Sequence, residues 1–251
     1  MGNIISIASQ KGGVAKTTTS ISLSAGLARH GKKVLLIDID SQANSSKVLL
    51  HQYLEIPRRE TLYATLIDKQ PLTLHQTAVP NLEIVPSHIY LSGIDVELAS
   101  SFKREERLKK QLDAIKQRYD YIFIDCPPAL GLLSINAFTA SDSVLIVVSP
   151  GYFELDSLIQ ISDVIKNVVD ELNPALAVMG FLFAMADPTI NSRDSHLLLR
   201  KTYGEKVLQT VIPRNTDVRD AHFNKQDIFA YNPKAAAALA YYRLITELFH
   251  I

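Results

Sequence analysis

A glycine-rich segment near the start of the sequence has the residue types needed to hold a polyphosphate. It reads Gln10-Lys11-Gly12-Gly13-Val14-Ala15-Lys16-Thr17-Thr18 and lies between a β-rich stretch (3–9) and a stretch with helical periodicity (17–30). Glycines let backbone N–H groups approach phosphate oxygens, and the N-terminus of the following helix adds partial positive charge. Lys16 would reach the β- and γ-phosphates, and the Thr17 hydroxyl would bind Mg²⁺. The segment therefore predicts a nucleotide-binding loop.

This segment departs at two places from the usual phosphate-loop pattern, G-x-x-x-x-G-K-[ST]. Gln10 stands in place of the first glycine, and Ala15 in place of the glycine before the lysine. If the loop needs a positive φ at position 15, alanine costs about 1 kcal/mol there. The plainer alternative is a glycine-rich turn that carries two surface lysines.

Three aspartates at the ends of apolar segments argue against that alternative. Asp38 ends the segment KVLLID (33–38), Asp40 lies two residues later, and Asp125 ends the segment YIFID (121–125). Ligands of open parallel sheets bind at the carboxyl ends of the strands, so we expect these carboxylates to lie near the phosphates. Carboxylate oxygens are ligands that Mg²⁺ accepts, directly or through water. One aspartate at a strand end is often just a loop cap, but three beside a phosphate loop predict a magnesium site.

Apolar, strand-like segments alternate with helical patterns along the chain. The predicted strands are 3–9, 33–38, 82–86, 121–125, 143–149, 177–184 and 207–212, and the predicted helices are 17–30, 102–118, 156–171 and 233–249. Continuously apolar strands are typical of a parallel sheet covered on both faces. The alternation predicts a doubly wound α/β fold with helices on both faces of a mostly parallel sheet. No linker, repeat or low-complexity tract is evident, so we expect one domain over residues 1–251.

Composition excludes several classes of protein. Of the 251 residues, 26 are Lys or Arg and 26 are Asp or Glu. A strongly basic nucleic-acid binder is therefore excluded, although a local basic patch is not. Cys126 is the one cysteine, so no disulfide forms within the chain, and we expect it to be a small buried apolar residue. No apolar run approaches the ~18–20 residues of a membrane span.

The loop and the aspartates together resemble those of the ParA/MinD family of ATPases, whose deviant Walker A loop reads K-G-G-x-x-K-[ST]. The resemblance continues through 61–66, 81–87, 91–98 and 212–215, and so spans nearly the whole chain. It is strongest to small ParA-type partition and positioning ATPases, including McdA-like proteins that position carboxysomes. The resemblance implies a P-loop NTPase fold, hydrolysis of ATP to ADP and phosphate, and ATP and Mg²⁺ as cofactors.

The resemblance also implies roles for individual residues. Lys11 stands at the family's signature lysine, which reaches across a dimer interface to the ATP of the other subunit. Asp38 and Asp40 correspond to the switch I pair, one of which positions the attacking water, and the sequence leaves open which. Asp125 corresponds to the Walker B aspartate, which orients Mg²⁺ and would share it with Thr17 and Asp38. The nucleotide-binding residues implied are Lys11, Gly12, Gly13, Val14, Ala15, Lys16, Thr17 and Thr18. Pro213 and Asn215 are implied to lie beside the adenine. The catalytic residues implied are Lys11, Lys16, Asp38 and Asp40.

The partners implied are a second copy of the chain in the ATP state, nonspecific DNA of the nucleoid, and a stimulating ParB-like or McdB-like protein bound to a cargo. The resemblance places the protein in the cytoplasm on the nucleoid, and the cargo stays open among a plasmid, a chromosome and a carboxysome. Residues 190–251 hold nine Lys or Arg and six Asp or Glu. The candidate DNA contacts are Arg200, Lys201, Arg219 and Lys225, with ordinary solvated surface charge as the alternative.

Three other functions are alternatives to this prediction. A MinD-like membrane ATPase needs a basic amphipathic helix at its C-terminus, whereas 235–249 contains Arg243 as its one cation and is expected to pack on the sheet. We therefore expect no membrane partner. Metal-carrier members of the wider family need paired cysteines, which this sequence lacks. A scaffold that binds nucleotide without turnover stays open because of Ala15.

Overall fold

The computed structural model describes residues 2–151 and 154–251, with 154–156 as backbone only. The described residues form one sheet of eight strands. The strands are β1 (Asn3–Ala8), β2 (Val34–Asp38), β3 (His75–Gln76), β4 (Leu82–Val85), β5 (Tyr121–Asp125), β6 (Ser143–Val148), β7 (Ala177–Ala186) and β8 (Val207–Pro213). Their order is β3-β4-β2-β5-β1-β6-β7-β8, and every neighbouring pair is parallel except β3 with β4. The predicted doubly wound, mostly parallel sheet is confirmed.

Helices cover both faces of this sheet. They are α1 (Lys16–Arg29), α2 (Asn44–Leu49), α3 (Leu62–Leu66), α4 (Ile94–Glu97), α5 (Arg107–Asp113), α6 (Leu132–Ala140), α7 (Glu154–Glu171), α8 (Ile190–Tyr203), α9 (Thr216–Phe223), α10 (Ile228–Tyr231) and α11 (Ala236–Phe249). Alternate residues of each central strand enter two separate apolar clusters. The cluster on one face includes residues of α3 to α8, and the cluster on the other includes residues of α1, α2 and α9 to α11.

Helix α1 ends where the sequence predicts. Gly31 has a φ of +79°, and its N–H donates to the Ala28 carbonyl at 3.0 Å while Lys32 N–H donates to the Leu27 carbonyl at 3.2 Å. These two bonds form a Schellman motif, in which glycine supplies the left-handed residue without a steric penalty. The motif turns the chain from α1 back into β2.

Helix α11 packs on the same face as α1, as expected from its apolar sequence. Tyr241 and Leu244 are fully buried, and the Tyr241 hydroxyl lies 3.1 Å from that of Thr19 in α1. The two helices approach so closely that a Cβ on Gly26 would come within 2.2 Å of Ile245. The apolar face of α11 is therefore used inside the fold. Among the described residues, no helix combines the length and the apolar character needed to cross a membrane.

The predicted helix 102–118 is wrong as one continuous element. Its central part forms α5, with 3₁₀ turns at Arg104–Glu106 and Lys116–Arg118. Lys103 precedes the first turn with a φ of +53°, so the chain cannot run helically through that point. The predicted strands agree with the structure within two residues at each end, whereas the two-residue strand β3 and the helices α2, α3, α4, α6, α8, α9 and α10 were not predicted.

Candidate nucleotide-binding site

The glycine-rich segment forms a tight turn between β1 and α1. Gly13 and Ala15 have φ values of +75° and +73°, and Ala15 is the N-cap residue of α1. The positive φ considered for position 15 is therefore present, and an L-residue with a Cβ adopts it at a cost of about 1 kcal/mol. Additional Cβ atoms on Gly12 and Gly13 would meet nothing within 4 Å, which leaves an open cradle above the N-terminus of the helix.

Lys16 lies inside this turn with 6% of its surface exposed. Its ammonium donates to the Lys11 carbonyl at 2.8 Å. Burial lowers the pKa of Lys16, and the nearby Asp125 carboxylate is the largest influence in the opposite direction. A buried cation held by one backbone carbonyl is suited to bind an anionic group that enters the cradle.

Asp38 and Asp125 lie side by side at the carboxyl ends of β2 and β5, where they are direct partners in the strand register. Both are fully buried. Asp38 Oδ2 accepts hydrogen bonds from Ser46 N at 2.8 Å and Ser46 Oγ at 2.7 Å. Asp125 accepts from Ser20 Oγ at 3.0 Å and Ser45 Oγ at 2.7 Å. The strand ends thus bring two of the predicted carboxylates into contact with α1 and α2.

The electrostatics of this pair favour the entry of a cation. Burial raises the pKa of both carboxyl groups, and repulsion from Asp125 raises that of Asp38 further. Asp38 Oδ1 is buried and has no hydrogen-bond partner among the described residues. A buried carboxylate oxygen without a donor is costly, and a bound cation or its water would relieve that cost. The donor set therefore fits Mg²⁺ as well as the nucleotide.

Asp40 lies beyond the end of β2 and faces the open side of the site. Its Oδ1 accepts from Gln42 N at 2.9 Å, and 8% of the residue is exposed. No cluster of three or more His, Cys, Asp or Glu residues in the described part of the chain has the arrangement of a metal site. Mg²⁺ does not need such a cluster, because proteins usually bind it through few side chains together with substrate phosphates.

Cys126 behaves as expected. It is buried and unpaired, and burial raises the pKa of its thiol to about 12. A thiol with such a pKa stays protonated and is inert at neutral pH.

A cavity of about 850 Å³ opens beside the phosphate loop, within the size range of ligand pockets. Its wall combines loop residues with residues from β8 and α9: Gly12, Gly13, Ala15, Lys16, Thr17, Thr18, Asp40, Pro213, Asn215 and Arg219 all contribute. Asn215 Oδ1 is buried there without a hydrogen-bond partner among the described residues. The structure thus places Pro213 and Asn215 in the same cavity as the phosphate loop.

The four candidate DNA contacts come from elements on two different faces of the sheet. Arg200 and Lys201 belong to α8, whereas Arg219 belongs to α9 on the opposite face of the sheet, and Lys225 follows α9. Arg200 donates to the Leu208 carbonyl at 3.1 Å. The Lys225 ammonium donates to the His51 carbonyl at 2.8 Å. A patch shared by these residues within one subunit would have to extend around the edge of the sheet, because α8 and α9 pack on different faces. Their contact with DNA stays a prediction.

Sequence reasoning missed the serines that surround the carboxylates. Ser20 lies one helical turn after Lys16, and Ser45 and Ser46 lie in the first turn of α2. Short polar residues are common at helix N-termini for capping alone, so their types did not mark them as partners of Asp38 and Asp125.

A phosphate loop at the end of a central parallel strand, with buried aspartates at the ends of the next two strands along the sheet, defines a P-loop nucleotide-binding protein. Residues 2–178 match the model of a family described as an AAA domain. The chain belongs to the ParA/Soj family of deviant Walker A ATPases.

Two curated relatives support this membership, and one solved structure has a similar fold. The chain is 42% identical to the sporulation initiation inhibitor protein Soj of Bacillus subtilis, with 99% of this chain and 98% of Soj covered. It is 38% identical to the chromosome partitioning protein ParA of Caulobacter vibrioides, with 98% and 93% covered. Cobyrinic acid a,c-diamide synthase from Mycobacterium smegmatis, solved with an ATP analogue and magnesium, superimposes with a TM-score of 0.84 at 29% identity, covering 98% of this chain and 93% of the synthase chain.

Proposed function

We propose that this protein is a Mg²⁺-dependent ATPase that positions a DNA or protein cargo. The observation that carries the proposal is the convergence of Lys16, Thr17, Asp38, Asp40 and Asp125 at one edge of the sheet beside a cavity of about 850 Å³. In this proposal Lys16 binds the β- and γ-phosphates, and Thr17 with Asp38 and Asp125 holds Mg²⁺, directly or through water. A bound Mg²⁺ would supply positive charge that offsets the charge on the phosphates.

Asp40 is the carboxylate that faces the cavity, whereas Asp38 is buried behind α2. We therefore assign the positioning of the attacking water to Asp40 and an outer role at the metal to Asp38. A residue that acts mainly in the transition state affects turnover more than binding. An Asp40→Ala variant is thus expected to bind ATP but to lose its hydrolysis.

The proposed working unit is an ATP-bound dimer in which Lys11 of each subunit reaches the nucleotide of the other. Lys11 is exposed at the edge of the cradle, whereas the Lys16 ammonium lies inside it against the Lys11 carbonyl, where it would bind the nucleotide of its own subunit. The dimer would bind DNA without sequence preference, and a cargo-bound partner would stimulate hydrolysis and release it. Because α11 packs inside the fold, DNA is favoured over a membrane as the surface to which the dimer binds. Its place would be the nucleoid.

Replacement of Lys11 by alanine tests this proposal. We expect ATP binding by the monomer to change by less than about threefold, while ATP-dependent dimerisation and DNA binding are lost, because charge from a second subunit is strongest where water is excluded. Light scattering and DNA retention are measured with ATP and with ADP, with Lys33→Ala at the opposite edge of the sheet as control. A Lys11→Ala variant that dimerises normally with ATP contradicts the sandwich dimer.

A further inference from the structure

The loop that carries Asp40 is held by a residue outside the nucleotide-binding motifs. Ser87 follows β4 and is fully buried. Its hydroxyl donates to the Asp40 carbonyl at 2.6 Å, and its N–H donates to Ser46 Oγ at 3.0 Å. Ser46 in turn donates twice to Asp38. Ser87 therefore contacts both ends of the segment that runs from Asp40 to Ser46.

This segment contains a strained residue. Ala43 has a φ of +54°, a conformation that is unfavourable for a residue with a Cβ. Its N–H donates to the same Asp40 carbonyl at 2.8 Å, so this oxygen accepts from both Ala43 and Ser87. Strained backbone persists only where the surroundings hold it in place. Ser87, which follows β4 and does not belong to the loop itself, supplies part of that restraint.

The Ser87 main chain is itself fixed. Tyr53 donates its hydroxyl to the Ser87 carbonyl at 3.3 Å. All three polar groups of Ser87, namely N–H, carbonyl and hydroxyl, are thereby engaged within the fold. A residue used in this way acts as a rigid support for its neighbours.

We propose that Ser87 is a positioning residue for nucleotide hydrolysis, which holds the 40–46 segment so that Asp40 faces the nucleotide cavity and Asp38 keeps its place behind it. The inference rests on the proposed ATPase function. Displacement of a catalytic group by about 1 Å lowers turnover by as much as ~100-fold. Loss of the Ser87 hydroxyl leaves the Ala43 bond in place, so we expect a partial effect.

The test is Ser87→Ala in the full chain. We expect kcat to fall about tenfold while the affinities for ATP and ADP stay within about threefold, since the phosphate loop is not touched. Amide hydrogen exchange of residues 40–47, measured with ADP and Mg²⁺ present, is expected to become at least about tenfold faster, because the strained turn opens more often.

The matched control is Ser141→Ala. Ser141 is also buried, and its hydroxyl donates to the Ala137 carbonyl at 2.8 Å, but it lies at the opposite edge of the sheet, before β6. We expect this variant to lose thermal stability to a similar extent while kcat and exchange of 40–47 stay unchanged. If both variants lower kcat equally, the effect is general destabilisation and the positioning role is wrong.

The outcomes separate the two proposals. If the wild type is active and Ser87→Ala leaves both kcat and exchange unchanged, the positioning role is wrong while the proposed ATPase function stands. A wild type without ATPase activity overturns the proposed function, and the exchange measurement then decides whether Ser87 restrains the segment. Unchanged exchange in the variant refutes the restraint in either case.

Discussion

The residues at the carboxyl edge of the sheet beside the phosphate loop and the basic residues of α8 and α9 differ in how the fold positions them. Residues that follow β1, β2 and β5 are separated by up to about a hundred positions in the sequence, yet they meet around one cavity. Arg200 and Arg219 are only 19 positions apart, yet they lie on opposite faces. The carboxyl ends of parallel strands lie at a common edge of the sheet. The position of a charged side chain on a helix surface depends instead on the face of the sheet against which that helix packs.

The comparison shows which kind of residue can be placed from sequence. Asp38 and Asp125 are placed by strand register, so their proximity follows from the strand assignment. The position of a surface arginine depends on which face its helix covers, and periodicity alone does not give that face. Four experiments test this difference.

Lys16→Ala is expected to have the largest effect. Removal of the buried ammonium from the cradle should weaken ATP binding by about 100-fold, since a hydrogen bond between charged groups contributes roughly 1.5–3 kcal/mol. Isothermal titration calorimetry measures the affinity. The control is Lys33→Ala, which removes an exposed lysine just before β2. Equal affinity in wild type and Lys16→Ala would remove the phosphate-loop assignment.

Lys201→Ala and Arg219→Ala separate the two helices by function. Lys201 is exposed on α8, so its loss should weaken ATP-dependent DNA binding by about 3–10-fold for every sequence and leave ATP affinity unchanged. Arg219 lies on the wall of the nucleotide cavity, so its loss should change ATP affinity as well. Fluorescence anisotropy across a salt series checks both variants. A Lys201→Ala variant with the wild-type salt dependence would show that Lys201 does not contact a phosphate.

Asp38→Asn tests the electrostatics of the strand-end pair. A carboxyl whose pKa is raised by folding binds more protons in the folded state than in the unfolded state between the two pKa values. Stability of the nucleotide-free protein therefore falls as pH rises from about 4 through the raised pKa. The amide that replaces the Asp38 carboxyl carries no charge, so the variant should melt about 2–4 °C higher than wild type at neutral pH. The difference should vanish near pH 4 in thermal melts recorded across the range; a constant difference would point to another cause.

Ala15→Gly is expected to have the smallest effect. Glycine adopts the φ of +73° freely, so the free energy of unfolding should rise by about 0.5–1 kcal/mol in urea. Ala25→Gly, in the buried interior of α1, should lower it by at least a similar amount. Two variants that shift stability in the same direction would contradict the strained geometry at position 15.

Much of the architecture could be predicted from the sequence. The strands β1, β2, β5 and β6 are short and mostly apolar, which is typical of buried parallel strands. The phosphate loop was visible despite Ala15 because Lys16 and Thr17 keep their spacing to the glycines. The breaks on either side of α5 escaped prediction because the residues from 102 to 118 are good helix formers, and the left-handed Lys103 has no sequence signal. Ser87 escaped as well, since its role depends on the register of β4 beside β2.

The central place of β1 has a consequence for the synthesis of the chain. Asn3 pairs with Tyr121 of β5, 118 positions later, and the other edge of β1 pairs with β6. At ~5–20 residues per second, a ribosome needs roughly 6–24 s to produce the first of these partners. Throughout that time the isoleucines at positions 4, 5 and 7, all buried in the final fold, have no strand beside them. We expect the nascent chain to depend on chaperones during this interval, and a pulse-labelled chain arrested before residue 121 should be protease-sensitive around β1.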